Sequence, residues 1–275
     1  MKIDGETKLI GFLGSTYRTS KMYAIYNAAM EALGLNYIYV PFIVGDLGKA
    51  VDGIRHLGIA AAGVTIPYKI SIIPHLDELD DESRHVGAVA VVMNREGRLI
   101  GGTTDGRGAL KALQEKTEVR GKGITLVGAG GAARAMAFSL KEAGAALTIL
   151  NRAEEIEMAE SLGASVGCPW GDLSMLEASI ARSEIVINTT PMGMVNTPLE
   201  GRSLVPRDLL RPGMTVMDIV TTPRETRLLQ DAMSAGCRVV HGDEMLLWQA
   251  VYKFKMYTGV EPPIDVMRRA MGNKA

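Results

Sequence analysis

The stretch GITLVGAGGAA, residues 123–133, decides the fold expected for the second half of this 275-residue chain. An apolar run passes into GAGGAA, and a helix-forming segment follows directly. This spacing fits a G-x-G-x-x-A turn, in which Gly128 allows a tight turn, Gly130 admits a pyrophosphate to the backbone amides, and Ala133 permits close packing. The following helix would present its positive dipole end to the anion. The pattern predicts a Rossmann-type unit that binds a dinucleotide, although Gly-rich turns also arise from packing alone.

Short apolar runs alternate with amphipathic segments on both sides of this turn. That alternation is typical of parallel sheets covered by helices, so we predict an α/β protein. The predicted strands are 9–13, 36–42, 59–66, 87–94, 99–103, 123–130, 146–151, 184–189, 214–220 and 238–241, of which 87–94 and 99–103 would form a hairpin. The amphipathic segments 243–256 and 263–271 have no remaining partner in the second unit. We therefore expect these C-terminal helices to return to the first domain, giving domains 1–105 plus 242–275 and 106–241.

Composition excludes several classes of protein. Thirty basic against thirty-one acidic side chains leave a net charge of −1, and aromatics are only 5%. Neither a nucleic-acid surface nor an anionic membrane surface is expected, because both need clustered positive charge.

Two cysteines give no disulfide or zinc framework, and the four histidines show no metal-ligand spacing, so no metal is predicted. The N-terminus lacks a signal-peptide pattern, and a cytoplasmic protein is expected.

Specificity for the dinucleotide's ribose usually lies at the end of the next strand, about 20 residues on. Here that place reads Asn151-Arg152-Ala153-Glu154-Glu155. Arg152 could lie over the adenine or pair with a 2′-phosphate, whereas Glu154 or Glu155 would repel a phosphate and could accept from a free 2′-hydroxyl. A solvated helix start is the simpler alternative. The signals conflict, and they favour NAD over NADP narrowly.

A lysine and an aspartate stand where α/β folds place their ligand clefts. Lys69 follows a strand and a Pro-fixed turn in GVTIPYK, and Asp105 lies in GGTTDGRG, at the other candidate domain edge. A lysine amine can exchange the proton of an alcohol, and a carboxylate can orient it. Hydride transfer to a nicotinamide needs little more than such a relay and good positioning. Taken singly, a loop lysine is more often a surface charge and an Asp-Gly pair more often a turn.

The chain resembles the shikimate dehydrogenase family, which includes quinate/shikimate dehydrogenases. The shared motifs run in order through nearly the whole chain: GVTIPYK (63–69), VGAVAVV (86–92), GTTDGRG (102–108), GAGGAA, NR (151–152), NTTPMGM (188–194), DIVTTP (218–223) and GDEMLLWQA (242–250). The resemblance implies an α/β substrate domain, an inserted Rossmann domain and a C-terminal helical return. It implies that Lys69 and Asp105 are the catalytic pair, and that Thr65 and Gln249 contact the substrate. By the same resemblance, Asn188, Thr189 and Met192 would lie beside the nicotinamide half of the cofactor. The residues expected to contact the cofactor are Gly128, Gly130, Gly131, Ala132, Asn151, Arg152, Thr189, Met192, Val220 and Gly242.

Departures from the family concern the substrate more than the chemistry. Two serines that usually meet the substrate carboxylate are replaced by Tyr17 and Thr19, which we predict to bind substrate in their place. Asparagines expected at Gly63, Ala90 and Thr103 are absent, as is a tyrosine at Thr221. A substrate hydroxyl that loses one such hydrogen bond loses about 0.5–1.5 kcal/mol. NADP-preferring members carry a further basic residue after the NR pair, where this chain has Glu155 and Glu157.

We therefore expect an NAD(P)-dependent oxidoreductase that reversibly oxidises a ring hydroxyl of a shikimate- or quinate-like hydroxy acid to the 3-dehydro ketone. Its partners would be small molecules, with no nucleic acid and no membrane, and the protein would be a monomer or homodimer. One alternative is a divergent paralogue that acts on another hydroxy acid. Others are a dinucleotide-binding protein with little catalysis and, more distantly, a methylene-tetrahydrofolate type dehydrogenase.

Overall fold

The computed structural model describes residues 3–15 and 20–272, and the chain divides into two compact units. The described residues up to Thr104 and those from Gln249 onward form the first unit, and Asp105–Trp248 form the second. The chain thus leaves the first unit once and re-enters it within a helix. The assignment of residues 1–105 plus 242–275 to substrate binding and of 106–241 to the dinucleotide stays a prediction. Tyr17 and Thr19 lie outside the described residues.

The first unit is built on a six-stranded sheet with the order β2-β1-β3-β5-β6-β4. Its strands are β1 Lys8–Gly14, β2 Tyr37–Ile43, β3 Ala61–Val64, β4 Glu78–Leu79, β5 Val91–Arg95 and β6 Arg98–Gly102. Its first four helices are α1 Lys21–Ala32, α2 Leu47–His56, α3 Tyr68–Ser71 and α4 Asp81–Val86. Ser20, Asp46 and Asp80 cap α1, α2 and α4 by accepting from backbone amides, which fixes where those helices begin.

This sheet is mixed, because the predicted hairpin adds antiparallel pairs to the parallel strands. β1 pairs in parallel with β2 and β3, whereas β5 is antiparallel to both β3 and β6. The predicted hairpin is present, with Arg95 opposite Arg98. Glu96 and Gly97 both adopt positive φ, 54° and 87°, which is the backbone of a two-residue hairpin turn. The tight turn reverses the chain and makes the antiparallel pair.

The second unit is a parallel six-stranded sheet with the order β12-β11-β10-β7-β8-β9. Its strands are β7 Gly123–Val127, β8 Ala146–Asn151, β9 Trp170–Asp172, β10 Ile185–Asn188, β11 Thr215–Asp218 and β12 Arg238–Val240. Its helices are α5 Asp105–Gln114, α6 Gly131–Glu142, α7 Ile156–Val166, α8 Leu176–Ala181 and α9 Arg227–Ser234. Numbered within the unit, this is the 3-2-1-4-5-6 order of the Rossmann fold. The α/β class with a Rossmann-type unit is confirmed.

The C-terminal helices are α10 Gly242–Thr258 and α11 Ile264–Ala270. α10 begins in the second unit and is continuous through Trp248 and Gln249, where the chain passes to the first unit. α11 packs against α1 and buries Met267 completely. The predicted return of these helices to the first domain is therefore confirmed.

Several short elements were not predicted from the sequence. α3, β4, β9 and α8 span only four, two, three and six residues, too few for a hydrophobic period to show. Residues 75–85, expected as a loop with some helix, contain β4 and most of α4. Within the described ranges, none of the helices is long and apolar enough to cross a membrane.

Candidate active site

The glycine-rich turn joins β7 to α6 as its spacing predicts. Gly128 has φ +109°, and a Cβ built there would lie 2.4 Å from Thr189 Oγ1. A side chain at this position would therefore be both strained and blocked. Gly130 is the N-cap of α6, and no side chain of the described residues caps that helix. The first amides of α6 are left for an external acceptor, which is the arrangement that binds phosphate groups.

A cavity of about 330 Å³ opens beside this turn, entirely within the second unit. It lies past the carboxyl ends of β7, β8 and β10, and the strand order reverses between β7 and β10. Ligands of open α/β sheets bind at this kind of switch point. The lining residues are Val127, Gly128, Ala129, Gly130, Asn151, Arg152, Glu155, Met158, Leu173, Thr189, Thr190, Pro191, Met192, Leu199 and Leu204.

Six of the ten predicted cofactor residues line this cavity together, namely Gly128, Gly130, Asn151, Arg152, Thr189 and Met192. Gly131 and Ala132 do not line it and instead form the first turn of α6. Val220 and Gly242 also lie outside the lining, but they lie close to each other. A Cβ built on Gly242 would be 2.6 Å from the Val220 carbonyl oxygen, so this close approach needs glycine. Their contacts with a cofactor stay predictions.

At the β8 end of the cavity, Arg152 and Glu155 form an ion pair. The Arg152 guanidinium donates to Glu155 Oε1, and Asn151 Nδ2 donates to the Glu155 carbonyl at 3.0 Å. The hydrogen bond from Arg152 lowers the pKa of the Glu155 carboxyl, and the same bond raises the pKa of Arg152. One group able to hold a phosphate and one able to accept from a ribose hydroxyl are thus bound to each other.

The loop after β10 is organised by Asn188, which is buried beneath the cavity. Asn188 Oδ1 accepts from the Thr190 amide at 3.1 Å and from Thr190 Oγ1 at 2.7 Å. Its Nδ2 donates to Asp218 Oδ1 at 3.0 Å. No role for Asp218 is expected from the sequence. Its position as a carboxylate closing an apolar strand, at the sheet edge that carries ligands, was the available signal.

In the first unit, Lys69 and Thr65 flank the turn after β3. The Ile66–Pro67 peptide is cis, and Lys69 is the second residue of α3. The Val89 amide donates to the Lys69 carbonyl at 2.8 Å, which ties this turn to the segment before β5. Thr65 is half-buried, and its carbonyl accepts from the Tyr68 amide at 2.9 Å. The turn that carries Lys69 is therefore held by backbone bonds.

Asp105 and Gln249 are the first residues after the chain passes from one unit to the other. Asp105 is the first residue of α5 in the second unit and is 8% exposed. Gln249 lies on α10 in the first unit, and its carbonyl accepts from Thr104 Oγ1 at 3.3 Å. The catalytic role of Lys69 with Asp105 and the substrate contacts of Thr65 and Gln249 stay predictions.

The missing asparagine at Gly63 has a physical explanation in the first unit. A Cβ built on Gly63 would lie 2.7 Å from Tyr39 Oη and 3.1 Å from Tyr257 Oη. Both tyrosines are buried, and burial raises the pKa of each well above its usual range, so the hydroxyls stay neutral. Two phenol oxygens thus occupy the space that an amide side chain would enter. Ala90 and Thr103, at the other two asparagine positions, are also buried.

Comparison with known proteins adds independent evidence. A family model described as "Shikimate dehydrogenase substrate binding domain" matches residues 12–92, and one described as "Shikimate 5'-dehydrogenase C-terminal domain" matches residues 242–271. The chain is 42% identical to a shikimate dehydrogenase (NADP(+)) of Pyrococcus abyssi over 95% of this chain and 96% of that protein.

Two solved structures are similar over almost the whole chain. One is a shikimate 5-dehydrogenase from Listeria monocytogenes in complex with shikimate and NAD, with a TM-score of 0.93, 36% identity, and 98% of each chain covered. The other is a quinate dehydrogenase from Corynebacterium glutamicum in complex with NAD, with a TM-score of 0.86, 30% identity, and 96% and 98% covered.

These similarities support a nicotinamide cofactor of the NAD(P) type but not the narrow preference for NAD, because NADP(+) stands in the name of the Pyrococcus relative. The full-length identity, the Rossmann strand order and the glycine-rich turn at the switch point agree with one another. The chain belongs to the shikimate dehydrogenase family.

Proposed function

We propose that the protein is an NAD(P)-dependent dehydrogenase that reversibly oxidises a ring hydroxyl of a shikimate- or quinate-like cyclic hydroxy acid to the 3-dehydro ketone. The observation that carries the proposal is the cavity at the switch point of the second unit, bordered by Gly128 and the uncapped start of α6. Such a site suits a pyrophosphate. The Listeria and Corynebacterium relatives, named for shikimate and quinate, supply the substrate class.

The chemistry divides between a hydride and a proton. A nicotinamide dinucleotide held at Gly128, Gly130 and Asn151 would supply the acceptor for the hydride that leaves the carbinol carbon. Lys69 takes the proton from the substrate hydroxyl as the carbonyl forms, and it returns that proton in the reverse direction. Asp105 orients the ammonium and balances its charge. Thr65, Gln249, Tyr17 and Thr19 position the acid, which converts an intermolecular step into an oriented one.

Recognition of the acid need not follow the family pattern. The hydroxyls of Tyr39 and Tyr257 fill the space next to Gly63. A substrate hydroxyl near this strand would therefore find a phenol hydroxyl or no hydrogen-bond partner, whereas an asparagine amide is expected there in the family. This observation favours, as a second candidate, a dehydrogenase of the same mechanism that acts on a different hydroxy acid. The intact Lys69 and Asp105 weigh against a protein that only binds the dinucleotide.

For the cofactor, we propose that the Arg152–Glu155 ion pair favours NAD. A 2′-phosphate would have to displace the Glu155 carboxylate from Arg152, whereas a free 2′-hydroxyl could donate to that carboxylate. The name of the Pyrococcus relative favours NADP instead. The remaining expectations, a cytoplasmic location and a monomer or homodimer, belong to this proposal as well.

The experiment follows nicotinamide absorbance with NAD and NADP separately against shikimate, quinate, their amino analogues and aromatic hydroxy acids. We expect reduction with at least one alicyclic hydroxy acid and faster turnover with NAD. Turnover with an aromatic or amino analogue alone would support the second candidate. Binding of either dinucleotide with no reduction by any acid in the panel would refute catalysis of this kind.

A further inference from the structure

The second unit contains a buried carboxylate to which the proposed reaction gives no task. Asp218 ends β11 and is 0% exposed. Its Oδ1 accepts from Asn188 Nδ2 and from the Val220 amide, each at 3.0 Å, and its Oδ2 accepts from Thr226 Oγ1 at 2.7 Å. Burial raises the pKa of this carboxyl, while the three donors oppose that shift. Because every partner donates, the site matches an ionised carboxylate, which only accepts.

One arm of this network reaches the loop that lines the cavity. Asn188 is held by Asp218 on one side and binds Thr190 on the other, through the amide and the hydroxyl. Thr190 Oγ1 in turn accepts from the Met192 amide at 3.2 Å. Thr189, Thr190 and Met192 all line the cavity. The carboxylate is thus two hydrogen bonds away from the cavity wall.

The other arm reaches the loop after β11. The Val220 amide is fixed by Asp218 Oδ1, and the Val220 carbonyl lies against Gly242 at the start of α10. The Ile219 amide also donates to the Asn188 carbonyl at 3.2 Å, which joins the two loops directly. Met192 and Val220, two of the predicted cofactor residues, belong to this hydrogen-bonded network. Thr189 follows Asn188 directly in the chain, and Gly242 packs closely against the Val220 carbonyl.

We infer that Asp218 is the positioning residue for the nicotinamide side of the dinucleotide site. It sets the loops 188–192 and 218–226 through Asn188 and Val220, without touching the cofactor. The inference rests on the proposed function, since it assigns this wall of the cavity to a dinucleotide. Loss of the negative charge at 218 loosens the nicotinamide half and leaves the adenine half, held at Asn151 and Arg152, unchanged.

If the role of Asp218 were purely structural, its loss would lower Tm without a change in dinucleotide binding. A buried polar residue elsewhere in the second unit serves as the matched control. Thr125 is equally buried in β7, and its hydroxyl bonds Ser179 Oγ at 2.7 Å and Ser183 Oγ at 2.8 Å. None of these three residues lines the cavity. Thr125→Val therefore removes two buried side-chain hydrogen bonds in the same unit, away from the cavity. It should lower Tm without a change in dinucleotide binding or turnover.

The test compares Asp218→Asn, Thr125→Val and the wild-type protein in two binding titrations and in one measurement of kcat. Quenching or enhancement of nicotinamide fluorescence gives Kd for NADH and NADPH. Competition by ADP-ribose and its 2′-phosphate, which lack the nicotinamide, gives Kd for the adenine half. We expect Asp218→Asn to weaken the reduced dinucleotide about tenfold and to change ADP-ribose binding by less than about twofold. We expect kcat with the active acid to fall about 100-fold, as for a misplaced reacting group.

The outcomes separate the two proposals. Asp218→Asn with wild-type Kd values and kcat, and a fall in Tm like that of Thr125→Val, overturns the positioning role while the proposed function stands. Equal weakening of NADH and ADP-ribose overturns it too. If wild type binds neither reduced dinucleotide, the proposed function itself fails. Should Asp218→Asn not fold, Asn188→Ala breaks the arm toward Thr190, and the same split between NADH and ADP-ribose decides the question.

Discussion

The two units differ in which parts of the chain form their candidate sites. In the second unit the cavity is bordered by backbone, with Gly128 at positive φ and the amides of α6 behind it, and its sheet is parallel throughout. In the first unit the sheet is mixed, and the candidate substrate residues are side chains on separate segments. From this contrast we expect the backbone turn at Gly128 to tolerate little change, whereas single side chains in the first unit, as at Gly63, can be replaced one at a time.

The largest expected effect concerns Lys69, the member of the proposed proton relay that lies in the first unit. Lys69→Ala should lower kcat by about a thousandfold, because general acid–base catalysis by one positioned group typically contributes 10²–10⁴-fold. Kd for the dinucleotide should not change, since Lys69 is outside the second unit. Steady-state rates and nicotinamide fluorescence check both halves. Lys49→Ala is the control, because the Lys49 side chain is 86% exposed; normal turnover by Lys69→Ala would refute its role.

The next effect tests the backbone character of the second unit. Gly128→Ala should weaken dinucleotide binding by about 100-fold, because its Cβ would lie 2.4 Å from Thr189 Oγ1 at a φ of +109°. Isothermal titration with NAD and NADP measures the loss. Gly45→Ala is the control, since no described atom lies within 4 Å of a Cβ there and its φ is not positive. Unchanged affinity in Gly128→Ala would show that the turn is not the binding element.

A smaller effect sharpens the account of the first unit. Gly63→Ala should lower the free energy of unfolding by about 1–3 kcal/mol, the usual cost of overpacking a core. Tyr39→Phe removes the hydroxyl nearest that Cβ, so the double variant should regain part of the loss. Urea denaturation of the four proteins gives the coupling. Strictly additive losses would mean that the Tyr39 hydroxyl does not restrict position 63.

The smallest effect concerns cofactor choice. Glu155→Gln releases Arg152 from its ion pair and removes a charge that repels a 2′-phosphate. The ratio of kcat/KM for NADP over NAD should rise about fivefold, a size typical of one exposed charge pair, and the rise should shrink at high salt. Glu160→Gln, an exposed carboxylate further along the same helix and outside the cavity lining, is the matched control. A ratio equal to that of wild type would remove Glu155 from cofactor selection.

The sequence predicts the second unit better than the first, for a physical reason. GAGGAA and the strand end at Asn151 and Arg152 are local signals, and a parallel sheet brings successive strand ends to one edge. Asn188, Thr189 and Met192 were expected there from the family resemblance. Six predicted residues accordingly line one cavity. The role of Asp218 was not predicted, because the sequence around a single aspartate at a strand end does not show that Asn188 and Thr226 will be its hydrogen-bond partners.

In the first unit, the local sequence could not show why position 63 is a glycine and not the expected asparagine. Tyr39 and Tyr257 are 24 positions before it and 194 after it, and only the folded chain brings their hydroxyls to that strand. The short helix that holds Lys69 was also not predicted, since four residues show no period. The position of Lys69 after a strand and a Pro-fixed turn left a surface charge as the more common alternative, and the family resemblance made the catalytic assignment.

The central claim, that this chain passes a hydride from a cyclic hydroxy acid to a nicotinamide, is tested most directly by isotope transfer. Shikimate or quinate deuterated at the carbinol carbon is incubated with the protein and the oxidised dinucleotide, and the reduced cofactor is examined by NMR. We predict deuterium at C4 of the nicotinamide ring in wild type and its loss in Lys69→Ala. Bound dinucleotide with no deuterium at C4, for every acid tried, would contradict the account.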